Sequence, residues 1–114
     1  MPDYDMVWAK GYTALINIEN GRYSDEVLEQ VFDLSQYDKR KYFQDRVLLL
    51  TNLHIFFVQD SLHLQNKISY KELNAIMIYF NRGKQTSLHM EVNGKVTKID
   101  TNLPEKNEEI VTSI

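Results

Sequence analysis

Two apolar runs separated by a pair of turn-forming residues constrain this chain more than any other feature. Val47 to Leu50 is the first run and Leu53 to Val58 the second, within Arg46-Val-Leu-Leu-Leu-Thr-Asn-Leu-His-Ile-Phe-Phe-Val-Gln-Asp60. Each is too short for a buried helix, and turn formers or strand-favouring residues flank both, so both read as strands. Asn tolerates a left-handed backbone, which makes Thr51-Asn52 the expected tight turn of a hairpin. A chain of 114 residues holds one domain's worth of sequence and buries one core with little excess. This hairpin is its most apolar part and is expected at the centre of that core.

The rest of the chain is read around that hairpin. Tyr4, Val7, Trp8, Tyr12, Leu15 and Ile16 recur at three- and four-residue steps, which predicts one face of a helix from about Asp5 to Ile18. Gly11 lies on that face, where a missing side chain allows close packing. Asn20-Gly21 is the expected stop. Ser24 is a candidate cap for a short turn over Asp25 to Glu29. Phe32, Leu34 and Tyr37 suggest a first strand ending near Asp38, although Val27, Leu28, Val31 and Phe32 also fit a helix. Asp38 to Asp45 reads as a polar, basic loop with two aromatics, and Asp60 to Asn66 as a second loop. Lys67 to Leu73 is the expected fourth strand and Ala75 to Phe80 the fifth, ended by the turn signal Asn81-Arg-Gly-Lys84. Ser87 to Val92, with Leu88, Met90 and Val92 on one face, is the sixth. Asn93-Gly94 is the strongest two-residue hairpin signal in the chain, and Lys95 to Thr101 follows as the seventh strand. The period then switches. Pro104 suits the first turn of a helix, and Glu105, Glu108 and Glu109 suit its positive end. Leu103, Ile110, Val111 and Ile114 share one face, and the pattern is still running at Ile114, which predicts a helix that continues and a chain that is an excised fragment.

Composition excludes several classes. The hydrophobic share is 43% and the charged share 25%, as in a soluble globular domain. With no cysteine there is neither a disulfide frame nor a thiolate metal site, which fits a reducing, cytosolic setting. No apolar run approaches the roughly 18 residues of a membrane span, and Met1-Pro-Asp-Tyr-Asp is not a signal peptide. His54, His63 and His89 are scattered without metal spacing, and Asn81-Arg-Gly-Lys84 lacks the context of a phosphate-cradling loop. The chain is therefore expected to be non-enzymatic, with no metal and no cofactor. A net charge of −3 argues against a nucleic-acid binder. That average hides a gradient. Residues 1–38 hold two bases against eight acids, residues 39–84 eight bases against three acids, and residues 85–114 three against five. The basic residues cluster in the middle.

Seven short strands followed by an amphipathic helix is the element order of a pleckstrin-homology-type domain. The runs Phe32-Asp-Leu-Ser-Gln-Tyr-Asp-Lys39, Arg46 to Val58 and Lys67-Ile-Ser-Tyr-Lys-Glu-Leu-Asn-Ala-Ile76 resemble the tail homology domain of class I myosins over roughly residues 27–114. Val7-Trp-Ala-Lys-Gly-Tyr12 faintly resembles half of a light-chain-binding neck motif, with Asp5-Met6 where the Ile-Gln half would stand. The resemblance implies a mainly β fold with helices: a seven-stranded sandwich or barrel closed by its C-terminal helix, over residues 24–114. Residues 1–23 would be a helical neck or linker remnant.

That family binds anionic phospholipid head groups, so the resemblance also implies a peripheral site at the inner face of a membrane, in a cytoskeleton-associated protein. The family pattern is a Lys near the end of strand one, then a basic residue two positions before an Arg that opens strand two. Arg46 matches the final Arg, whereas Gln36 and Gln44 stand at the other two positions. Lys39, Arg40 and Lys41 are then the main candidates for contact with anionic lipid, with Lys67 and Lys95 as lesser ones near neighbouring strand ends. Tyr42 and Phe43 are candidates for the head-group region, which suits aromatic rings. Their competing role is packing on the rim of the sandwich. The competing function is protein docking through a strand edge or through the N-terminal helix.

Overall fold

The computed structural model describes residues 2–19, 26–37, 42–59, 63–81, 84–101 and 104–114. Asn20, Gly21, Ser24, Asp25, Asp38, Lys39, Arg40, Lys41, residues 60–62, Arg82, Gly83 and Leu103 lie outside the described residues, as does the side chain of Tyr4. The fold is mainly β. Helix α1 (Pro2–Glu19) precedes nine strand segments: β1 (Leu28–Asp33), β2 (Gln36–Tyr37), β3 (Phe43–Gln44), β4 (Arg46–Thr51), β5 (His54–Gln59), β6 (His63–Ser69), β7 (Leu73–Asn81), β8 (Lys84–Val92) and β9 (Lys95–Asp100). Helix α2 (Pro104–Ser113) follows them. Seven of these strands make two principal sheets, ordered β1-β4-β5-β6 and β7-β8-β9, while β2 and β3 pair as a short ladder of their own. The chain divides into two compact units, Met1–Lys67 and Ile68–Ile114.

The first unit is built on β4, all six of whose residues are buried. Alternate residues of a strand point to opposite faces, so a strand covered on both sides needs apolar residues in a row. That is the physical content of Val47-Leu-Leu-Leu50. On one face Val47 and Leu49 join Leu28, Val31, Phe56 and Val58 in a cluster with Ala14 and Leu15 of α1, and Val7, Trp8 and Ile18 pack against it.

The packed face of α1 follows the expected one at Val7, Trp8, Gly11 and Leu15. Tyr12 and Ile16 are exposed, whereas Gly11 and Leu15 of the expected face are buried together with Ala14, which lay outside it. Counting large apolar residues overlooks Ala14, yet small residues mark where backbones approach most closely. Gly11 shows this directly, because a Cβ built there would fall inside 3.0 Å of Val31 Cγ2.

Four further boundaries differ from expectation. The central turn is Asn52-Leu53, with Thr51 closing β4. The Thr51 hydroxyl fixes it by accepting the amides of Leu53 at 3.1 Å and His54 at 2.9 Å. Strand β1 begins at Leu28, so no helical turn extends to Glu29. Part of the expected basic loop is the ladder β2–β3, with Gln36 opposite Gln44 and Tyr37 opposite Phe43. Residues His63 to Asn66, expected in a loop, belong to β6, which ends at Ser69 before a turn over residues 70–72. Strand β6 is the last in its sheet, and polar residues are tolerated at a sheet edge, which is why its first half does not look like a strand.

The second unit is an antiparallel meander with α2 against β8 and β7. Leu88, Met90, Ile99 and Ile110 are completely buried. Asn93 (φ 51°) and Gly94 (φ 80°) form the two-residue turn between Val92 and Lys95, the positive-φ pair that such a turn requires. Val111 is half-buried, and Ile114 is exposed beyond the last residue of α2. No helix among the described residues is long and apolar enough to cross a membrane.

Candidate functional site

The sequence points to the segment between β1 and β4. The two strands pair continuously from Leu28 opposite Thr51 to Asp33 opposite Val47, with one register shift between Leu28 and Gln30. The ladder then breaks at Ser35 and Asp45 and resumes as β2–β3. Residues 38–41 connect the two strands of this extension, so Lys39, Arg40 and Lys41 fall between its ends and outside the described residues. Tyr42 and Phe43 follow them directly and are 66% and 56% exposed.

The break is bridged by side chains. The Ser35 hydroxyl oxygen accepts the Arg46 amide at 3.0 Å and the Lys10 ammonium at 2.8 Å. Its single proton has two acceptors within reach, Asp45 Oδ1 at 3.1 Å and the Arg46 carbonyl at 3.3 Å. Both lone pairs and the proton are thus in use. Asp33 Oδ1 accepts the Ser35 amide at 3.0 Å, the local turn by which an Asp side chain replaces a ladder hydrogen bond.

Lys10 reaches this point from the middle of α1. Its three donors match three acceptors: Asp33 Oδ1 at 3.3 Å, Ser35 Oγ at 2.8 Å, and Asp45 Oδ1 at a short contact. Partial burial of Asp33 pushes its carboxyl upward, but the hydrogen bonds from Ser35 and the charge and hydrogen bond of Lys10 outweigh this and hold it below its ordinary value. Sequence reasoning missed Lys10 and both aspartates as a group, because 23 residues separate Lys10 from Asp33.

The remaining candidates are dispersed. Arg46 opens β4 but is only 8% exposed, with its backbone carbonyl taken by the Leu34 amide at 2.8 Å. Gln36 and Gln44, at the two other positions of the family pattern, face each other across β2–β3. Lys67 lies in β6 two residues before its end at Ser69, exposed, with Nζ 6.0 Å from the centre of the Phe56 ring. Lys95 is exposed at the start of β9 in the second unit.

A second polar group surfaced at the other end of β4. The Glu26 carboxylate, 2% exposed, accepts the Thr51 hydroxyl at 3.0 Å and makes a short contact with His54 Nδ1. Asn52 completes the junction through the amide and carbonyl of Val27, at 2.8 and 3.1 Å. His54 is the first residue of β5. Its partly buried ring ties the segment before β1 to the β4–β5 turn. Among the described residues no three acids or histidines are grouped to hold a metal ion. Compared with protein-family models, curated proteins and solved structures, the chain matches none.

Proposed function

We propose that this chain is a pleckstrin-homology-like domain of the class I myosin tail type, and that it attaches peripherally to anionic lipids at the inner face of a membrane. The order of its elements supports the first part: a meander whose principal strands divide four and three, then a C-terminal helix. The second part rests on one observation. Three consecutive cations, Lys39, Arg40 and Lys41, lead directly into two exposed aromatics, Tyr42 and Phe43. Each cation near an anionic leaflet adds about 1 kcal/mol, within about a Debye length. With Gln36 and Gln44 where the family carries bases, this surface favours negative charge without selecting one head group.

Vesicle sedimentation tests the reading. Binding is expected to rise with phosphatidylserine or phosphoinositide content, to fall steeply with salt, and to vanish in K39E/R40E/K41E. Equal binding to neutral and acidic vesicles, or none to either, refutes it.

A second reading, a docking domain for another protein, draws on the other sheet. Met77, Tyr79 and Val96 are exposed, and their cross-strand partners put them on one face. Tyr79 stacks on His89 there, with ring centres 4.8 Å apart. Such a partner would bind independently of the three basic residues and of salt.

A further inference from the structure

We propose that Lys10 is a positioning and charge-masking residue for the lipid-facing hairpin: by pairing with Asp33 and Asp45 it keeps two carboxylates at the hairpin's base from repelling anionic lipid. The inference rests on the lipid reading above and identifies what controls that same surface. Asp45 lies between Gln44, the last residue of β3, and Arg46, the first of β4, and Asp33 ends β1. Both carboxylates therefore sit where the main ladder hands over to β2–β3, the extension that carries the cations. An anionic leaflet that meets the exposed Tyr42 and Phe43, which stand just before Asp45 in the chain, also approaches these two negative charges. Lys10 contacts both, and its third donor reaches Ser35, the residue that bridges the break. The Lys10 side chain is about three-quarters buried, and its ammonium contacts both aspartates. Helix α1 is held to the sheet by its apolar face, and this places the lysine without help from the hairpin itself.

The test uses the whole chain and phosphatidylserine vesicles at about 0.1 M salt. In K10M one negative charge at the hairpin's base loses its partner, and affinity is expected to fall about fivefold, the effect of one elementary charge near an anionic leaflet. K10M/D45N is expected to return to within about twofold of the wild type. K10M/E29Q has the same net charge as that rescue, but Glu29 stands four residues from Asp33 along β1. That is roughly 13 Å, beyond the Debye length of about 10 Å, so this variant is expected to stay weak. Unchanged binding in K10M, or equal rescue by E29Q, overturns the role of Lys10 and leaves the lipid reading standing. A wild-type chain that ignores acidic vesicles overturns both. If K10M fails to fold by circular dichroism, K10Q decides: about fivefold weaker binding is expected, and no change overturns the proposal.

Discussion

Gly11→Ala is the most direct probe of how α1 sits on its sheet. The residue is helical and has no left-handed backbone to protect, so only space argues for glycine. The added methyl would fall inside 3.0 Å of Val31 Cγ2 and at 3.2 Å from both Val31 Cγ1 and Leu28 Cδ2. Val31 cannot yield easily. It is β-branched, hence stiff at its first torsion, buried, and registered opposite Leu49 in the ladder. Overpacking of this kind costs about 2 kcal/mol. Replacing glycine by alanine inside a helix returns about 1 kcal/mol through propensity. The net expectation is about 1 kcal/mol of destabilisation, a fall of roughly 4 °C in Tm for a domain of this size. Urea and thermal unfolding of G11A, V31A and G11A/V31A measure it as a double-mutant cycle. V31A makes room for the new methyl, so the pair should be less destabilised than the sum of the single variants by about 1 kcal/mol or more. A G11A protein more stable than wild type, or additive behaviour in the cycle, would refute the close approach.

Two further variants probe the polar groups. Thr51→Val removes one donor to buried Glu26 and the acceptor for two amides of the β4–β5 turn; about 2 kcal/mol of stability should be lost in urea, while Thr51→Ser should retain most of it. Asp33 titrates below its ordinary value in the folded protein. A depressed carboxyl contributes stability that is present above its unfolded value of about 4 and disappears as pH falls through its folded value. Asp33→Asn should therefore flatten the pH dependence of unfolding below about pH 4, and an unchanged acid limb would contradict the Lys10–Asp33–Ser35 contacts.

What could be read from the chain follows the distance over which each determinant acts. Asn93-Gly94 and the alternation Leu88, Met90 are local signals, and the structure bears both out. Pro104 likewise opens α2. The hydrophobic centre at β4 and β5 was evident because a strand covered on both faces writes an unbroken apolar run. The α1 face was legible at Val7, Trp8, Gly11 and Leu15, but Tyr12 and Ile16 are exposed, and Ala14 was left out because a hydrophobic period does not register so small a residue. Strand β6 was half missed because a sheet edge accepts polar residues. At the candidate site, the basic triplet and its aromatics stand in plain order, whereas Lys10 meets Asp33 and Asp45, and Glu26 meets Thr51 and His54, only after folding. Nothing in local spacing links residues 25 positions apart.

Those long-range polar contacts share a placement that bears on how the hairpin is held. Strands β1 and β4 run as one ladder between two junctions, and at each junction a side chain takes over from the backbone. Thr51 serves the end at the β4–β5 turn, and Ser35 serves the end that leads to β2–β3. Both are hydroxyl residues, which can accept an amide and donate to a carboxylate at once. A backbone ladder running without a break into β2–β3 would make the hairpin a rigid continuation of the sheet. A side-chain hinge fastened by Lys10 instead makes its angle depend on three contacts to one ammonium. If so, amides of residues 42–46 should exchange with solvent faster in K10M than in wild type, while those of residues 47–50 keep their protection. Uniform loss of protection through β4 would mean that Lys10 holds the sheet as a whole and not the hairpin alone.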